Sequence, residues 1–362
     1  MKELNRKCSR FTESVIREMT RISNRYGAIN LSQGFPDFDP PKEILDRLAQ
    51  VAHTGPHQYA VTWGAQNFRE ALAKKHAHFS GQQVDPDTEI VVTCGSTEAM
   101  ICSMMAVTNP GDKVAVFSPF YENYGADAIL CGAEPIYVPL SPVDFTFDPE
   151  ALEDAFRAGA RVMILCNPSN PSGKVFCLDE LKIIAGLAVK YDAIVITDEV
   201  YEHIVYRPHE HVYLSTLPGM RERTMICNSL SKTYSITGWR LGYVIAPPEL
   251  TRRVRIVHDF TTVGAAAPLQ EAAVVGLRFG AAYYAELQCA RKLLDLRDAV
   301  SPTAEEKTRE NGRLASFFDR LSESEGLSLD EGQREAVRRS LENGVFLLSG
   351  GPGTGKTTTL NA

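Results

Sequence analysis

Short apolar runs rich in β-branched residues recur along the chain: EIVVTC (89–94), KVAVF (113–117), RVMILC (161–166), AIVIT (193–197), TMICN (224–228) and GYVIA (242–246), with PIYVPL (135–140) a weaker seventh. Continuous runs of this length suit strands buried on both faces. Between them lie amphipathic patterns such as DELKIIAGLAVKY (179–191), the periodicity of helices that cover a sheet with one apolar stripe. The pattern predicts an α/β fold, a three-layer sandwich around a mostly parallel seven-stranded sheet.

In such sheets the ligand site forms beyond the carboxyl ends of the strands. The residues just past each run are therefore informative: GSTEAM after 94, NPSNPSGK after 166, DEVYE after 197 and SLSKTYSITGWR after 228. Polar and reactive residues crowd the places that this topology turns into a pocket.

Past about residue 289 the character changes. Residues 290–326 carry mixed charges and helical periodicity without a strand. SLDEGQREAVRRSLENG reads as a helix, with Ser328 and Glu331 spaced as a capping box and Gly344 as a stop. VFLLS (345–349) is one further strand, and a glycine-rich loop comes after it.

Composition narrows the class. With 362 residues, 44% hydrophobic and 23% charged, the chain has the means to bury a sizeable core. A net charge of -7 argues against a nucleic-acid-coating surface. The charged N-terminus MKELNRKCSRFTESVIREMT is no secretory signal, and no apolar run reaches the ~20 residues of a membrane span. The eight cysteines show no paired spacing, and Cys94, Cys166 and Cys227, in apolar runs, read as small buried hydrophobes. The expected location is cytoplasmic. The pairs His76/His78 and His209/His211 read as solvated histidines, and no metal site is expected.

Four stretches carry candidate chemistry. In NSLSKTYSITGWR, Lys232 comes just after a buried strand with Ser229 and Arg240 nearby, both suited to phosphate oxygens. Such a lysine becomes a nucleophile when desolvation or a neighbouring cation lowers its pKa; taken alone, a single lysine reads as a solvated surface charge. In IVITDEVYE, Asp198 ends a strand and Tyr201 stands three residues later, about one helical turn. That pair reads either as an N-cap with a core tyrosine or as a carboxylate holding a heterocyclic nitrogen protonated. Asn170 sits in a turn with two Asn-Pro steps. Ser96 and Thr97 open a helix after Gly95, an arrangement that can bind an anion.

In this order and spacing, the set closely resembles the fold type I pyridoxal-phosphate enzymes, specifically the class I/II aminotransferases. INLSQGFPDFDPP (29–41) and HQYAVTWGAQNFREAL (57–72) match that family too, and the resemblance runs from about residue 10 to 288. It is greatest to the branch containing kynurenine, glutamine, methionine and aromatic aminotransferases. The resemblance implies that Lys232 carries pyridoxal phosphate as a Schiff base and later moves the substrate's α-proton. It implies that Asp198 pairs with the pyridine nitrogen, that Tyr201 and Asn170 bond the ring's phenolic oxygen, and that Tyr121 of SPFYENY stacks on the ring. Ser96, Thr97, Ser229 and Arg240 resemble the phosphate grip, and Tyr59 a tyrosine that reaches the neighbouring subunit's phosphate, which implies a homodimer. Gly34 resembles the glycine beside the substrate carboxylate, with Asn170 again on the substrate side.

The family's pattern breaks near YYAELQ (283–288). No later stretch matches the arginine that clamps the substrate carboxylate; Arg291 and Arg297 lie in the different segment. From about 290 the chain resembles the region of RecD-like DNA helicases that leads into the first ATPase motif. Gln333 resembles the adenine-reading glutamine, and Gly350, Gly353, Gly355, Lys356 and Thr357 fall in a Gly-x4-Gly-Lys-Thr phosphate loop. The remaining acidic motif for magnesium is missing, so the loop reads as a severed piece of another enzyme. The expected organisation is an N-terminal arm and part of a small domain (1–45), a large pyridoxal-phosphate-binding domain (46–289) and a mainly helical helicase-like fragment (290–362). The small domain is expected to be incomplete.

The expected function is transfer of an amino group between an L-amino acid and a 2-oxo acid. The alternatives are a β-lyase of the same fold and a non-functional fusion that binds the cofactor, with ATP binding at the loop a further, remoter reading. Neither a membrane nor a nucleic acid is an expected partner.

Overall fold

The structure is a computed structural model and describes residues 5–284, apart from 31, 35, 37 and 281. The chain parts into two compact units, Met1–Gly280 and Ala281–Ala362, and of the second only residues 282–284 are described. The capping box at Ser328, Gln333 and the phosphate loop with Gly353, Gly355, Lys356 and Thr357 lie outside the described residues, as do Arg291 and Arg297.

The helices of the first unit are α1 (Val15–Tyr26), α2 (Lys42–Thr54), α3 (Gln66–Ser80), α4 (Ser96–Val107), α5 (Asn123–Leu130), α6 (Pro149–Arg157), α7 (Leu178–Lys190), α8 (Pro248–Thr261) and α9 (Ala267–Leu277). The strands are β1 (Ile90–Thr93), β2 (Lys113–Ser118), β3 (Glu134–Pro139), β4 (Ala160–Cys166), β5 (Ile194–Asp198), β6 (Thr224–Ser229) and β7 (Gly242–Ile245). All seven apolar runs of the sequence are strands, in one sheet of order β1-β7-β6-β5-β4-β2-β3. The sheet is parallel except for β7, which runs antiparallel to both β1 and β6.

Alternate residues of each strand feed two cores, because side chains along a strand point to opposite faces. Ala115, Phe117, Met163 and Leu165 pack with Leu152 and Phe156 of α6 and Leu181 and Ile184 of α7. Val114, Val116, Val162 and Ile164 pack with Met100 and Met104 of α4, Tyr124 of α5 and Val254 of α8. The three layers result directly from that alternation. Local chemistry sets the helix ends. Ser14 caps α1, which stops at Gly27 in the left-handed region (φ 60). Asp148 caps α6, with Pro149 in its first turn.

Reversal of β7 brings its first residue to the same edge as the carboxyl ends of β1 and β6. Gly242 pairs with Thr93 and with Ser229, while Asp198 lies between Cys166 and Cys227. One edge of the sheet thus presents the ends of five adjacent strands, with Ser96, Asn170, Asp198 and Lys232 at or soon after the carboxyl ends of β1, β4, β5 and β6 and Arg240 just before β7.

Three sequence expectations need correction. The segment after Asp198 is a run of hydrogen-bonded turns, with Glu202 N–H bonded to Glu199 O and Ile204 N–H to Tyr201 O, rather than a helix. Turn and helix share the same three-residue spacing. The histidine pairs are split: His78 and His209 are exposed, but His76 and the His211 side chain are buried. Both rings pack edge-on against Tyr213, and His211 Nε2 lies 2.7 Å from Glu199 Oε2. Burial pushes the His76 imidazole down to about 4, so it is neutral. Cys166 and Cys227 are buried as expected, whereas Cys94 is only half-buried.

Gly242 marks the tightest point of the architecture. A Cβ there would lie 2.3 Å from the carbonyl carbon of Gly95 and 2.6 Å from the amide nitrogen of Ser96. Both are backbone atoms, which cannot swing aside. Gly242→Ala is therefore expected to lower stability by about 1–3 kcal/mol, read as a drop in melting temperature. A melting curve identical to wild type would contradict this packing.

Candidate functional site

A cavity of about 290 Å³ opens at the strand-end edge. Its chemistry starts with Asp198, the last residue of β5, whose side chain is 7% exposed. Its Oδ2 accepts from the Tyr124 hydroxyl at 2.7 Å and its Oδ1 from the Val200 N–H at 3.2 Å. Burial dominates, and the carboxyl is pushed up to about 6 despite those two bonds. Uncompensated, the ionised form is costly here; a cation inside the cavity would relieve it.

Lys232 stands in the segment between β6 and β7, which leaves the sheet and returns to it. Leu230 N–H bonds Leu241 O at 3.0 Å, closing the excursion at its base. Ser235 and Arg240 within it adopt left-handed backbone (φ 55 and φ 54), a conformation that costs non-glycine residues on the order of 1 kcal/mol. The half-buried Lys232 amine donates to Gly34 O at 2.7 Å. Burial, then the Arg240 charge, lowers its pKa, so the amine loses its proton more readily than a surface lysine.

The third component is an anion-binding turn. Gly95, with φ 82, opens α4 without a side-chain cap, leaving amide N–H groups of the first turn free for a ligand. A Cβ at Gly95 would sit 2.2 Å from Nη2 of Arg240, so only glycine lets the guanidinium lie over this turn. Arg240 is itself held by a 2.8 Å bond from Nη1 to Thr237 O.

The cavity wall contains Lys232, Asp198, Tyr201, Asn170 and Tyr121, and also Ser96, Thr97, Ser229, Arg240 and Gly34. Burial raises the Tyr201 phenol, partly offset by a hydrogen bond with Asn170, so it remains a proton donor. Burial likewise raises Tyr121. Tyr59 does not join this cavity; it is 87% exposed. The structure adds Tyr124, whose hydroxyl is the side-chain partner of Asp198. SPFYENY contains it, but no spacing rule links a residue of α5 to the end of β5. Arg17 of α1 and Ser231 also line the cavity, and neither stands in a motif that marks it in the sequence.

An amine of lowered pKa, a glycine turn with hydroxyls and a guanidinium, and a buried carboxylate form a coherent donor set. They fit a molecule with an aldehyde, a phosphate and a basic ring nitrogen, and pyridoxal phosphate has all three. Lys232 would hold the aldehyde carbon, residues 95–97 with Ser229 and Arg240 the phosphate, and Asp198 the protonated nitrogen. Fold and donor set together define a pyridoxal-phosphate protein of fold type I.

Similarity to known proteins narrows that class. The sequence model of the family "Aminotransferase class I and II" matches residues 26–299, and a second, "AAA domain", matches residues 333–362. The chain belongs to the class I and II aminotransferase family. It is 38% identical over 266 residues to mouse kynurenine–oxoglutarate transaminase 3, covering 70% of this chain and 58% of that protein. It is 36% identical over 280 residues to a probable N-succinyldiaminopimelate aminotransferase of Mycobacterium tuberculosis, covering 77% and 70%. Against the solved structure of N-succinyldiaminopimelate aminotransferase from M. tuberculosis the TM-score is 0.78, at 30% identity and 90% coverage of each chain. The Thermus thermophilus aspartate aminotransferase with maleate gives 0.76, at 29% identity, covering 82% of this chain and 79% of that one. The chain spans less than three-fifths of the length of the mouse relative.

The buried carboxylate yields a pH signature. Asp198 has a folded-state pKa of about 6, above the ordinary 3.8. Between those values the folded state keeps a proton that the unfolded chain has released, so stability falls as pH rises through this window. Above it the cofactor-free protein carries a penalty of about 3 kcal/mol. Asp198→Asn is expected to flatten this part of the pH–stability curve and to stabilise the cofactor-free protein near pH 8 by up to about 3 kcal/mol. Superimposable wild-type and variant curves in denaturant titrations would refute the assignment.

Proposed function

We propose that the protein is a pyridoxal-phosphate-dependent aminotransferase that moves an amino group between an L-amino acid and a 2-oxo acid. The observation that carries this reading is the meeting of Lys232, Asp198 and the Gly95 turn in one cavity. Pyridoxal phosphate, when bound, supplies the electron sink that makes the bond to a substrate's α-hydrogen labile. The chain's own residues do the rest. Asp198, largely buried at the cavity wall, favours a cation at the atom it faces. Tyr201 and Asn170 offer hydrogen bonds to a ring oxygen. Lys232 Nζ, with its lowered pKa, is the base placed to take a proton and return it.

A homodimer accords with this reading. Tyr59 and Val61 are exposed, as are Phe260 and Val263, and the two segments lie together, since a Cβ on Gly264 would come 3.3 Å from Thr62 O. The side chain of Tyr59 would then serve the partner's cavity. For the region from about 290, the match of residues 333–362 to an AAA domain supports a fragment of a RecD-like helicase ATPase joined to the aminotransferase region. Its nucleotide contacts would be Gln333, Gly353, Gly355, Lys356 and Thr357.

Protein incubated with pyridoxal phosphate and desalted should be yellow, and Lys232→Ala should lose that colour. Pyruvate and ammonia release would mark a lyase instead, and 2-oxo acid exchange a transaminase. Colourless wild-type protein after incubation would overturn the reading at its root.

A further inference from the structure

Behind the anion turn, outside the cavity wall, lies a buried ion pair that the reaction does not use. Glu98, in the first turn of α4, accepts from Cys94 N–H at 2.5 Å through Oε2. Its Oε1 lies 2.7 Å from Nδ1 of His258 on α8 and accepts from the Thr262 hydroxyl at 2.5 Å. The other ring nitrogen, Nε2, lies 2.8 Å from Thr62 O. His258 is 0% exposed.

Hydrogen-bond chemistry fixes the charge state. An ionised carboxylate and a backbone carbonyl are acceptors only, so a ring nitrogen facing each must carry a proton. Glu98 is ionised: burial alone would raise it, but bonds from His258, Thr262 and Cys94 bring it below the ordinary range. His258 is therefore the imidazolium, doubly donating. Around the ring, α4 presents Glu98 and Cys102, and α8 presents Asp259 and Arg255. The Cys94 and Cys102 thiols are held protonated by burial, Cys102 at about 12. Arg255 is occupied by the carbonyls of Asp87 and Ile90 and lies over Trp63. From segment 57–65 the Thr62 carbonyl meets the ring.

We propose that Glu98 and His258 are positioning residues that clamp the anion turn (94–97) to the segment carrying Tyr59, so that loss of the His258 proton loosens the grip on a phosphate group. With one proton gone, either the Glu98 or the Thr62 bond becomes a contact between two lone pairs. Burial lowers the His258 pKa but the Glu98 bond and charge raise it further, so the net shift is upward. The clamp is then complete below the ordinary histidine range and is lost as pH rises through the raised value.

This inference rests on the pyridoxal-phosphate reading, and the test separates the two. Affinities for pyridoxal phosphate and for pyridoxal, which lacks the phosphate, are measured at a series of pH values rising from the ordinary histidine range for wild type, Glu98→Gln and His258→Gln. The ratio cancels whatever titration Lys232 contributes. Stabilisation by inorganic phosphate, read by thermal shift, gives the same information without the aldehyde. Wild type should lose about tenfold of its phosphate-dependent preference across the range. Both variants should start about tenfold lower and stay flat, with pyridoxal affinity unchanged. Glu98→Gln keeps an acceptor for Cys94 N–H, so it guards against a merely misfolded His258→Gln. Wild-type ratios and slopes in both variants would overturn the clamp, as would an equal loss for pyridoxal. If wild type binds neither aldehyde, the cofactor reading fails, while the inorganic phosphate arm still decides the clamp.

Discussion

Asp198 is the constraint on which the site depends. A carboxylate at the end of the middle strand of a sheet, given one hydroxyl and one N–H and little water, is an unfinished electrostatic arrangement. The fold tolerates it because the two cores on either side of the sheet carry the stability. What the carboxylate lacks is a positive charge within the cavity, and a protonated heterocycle provides one. Lys232 answers the other end of the same molecule, and the two are held in register by strands β5 and β6, which pair directly.

The fold was legible because strands buried on both faces announce themselves as uninterrupted apolar runs. All seven were found in that way, even the weaker 135–140 run at the sheet edge. The site was legible for a related reason, since in this topology the residues after each strand share one edge. Lys232, Asp198, Asn170 and the Ser96–Thr97 pair each come after a run, and all reach one cavity.

The remainder required three dimensions. Tyr124 supports Asp198 from α5, a partnership with no sequence spacing of its own. The turn from Glu199 to Ile204 imitates a helix in its spacing alone. His76 and His211 looked solvated because their neighbours in the chain are polar, yet Lys75, Glu199 and Glu202 are buried with them. His258 sits amid RIVHDF, an unremarkable helix pattern, and only the fold places it between Glu98 and Thr62. Tyr59 points to solvent, and its expected role needs a second copy of the chain.

If one molecule bridges Lys232 and Asp198, its ring nitrogen is made cationic by the carboxylate. Nuclear magnetic resonance on protein loaded with pyridoxal phosphate labelled with nitrogen-15 in the ring reads that nitrogen's protonation directly. A protonated nitrogen is expected in wild type at neutral pH and an unprotonated one in Asp198→Asn. An unprotonated nitrogen in wild type, or the same signal in both proteins, would show that Asp198 does not hold the ring.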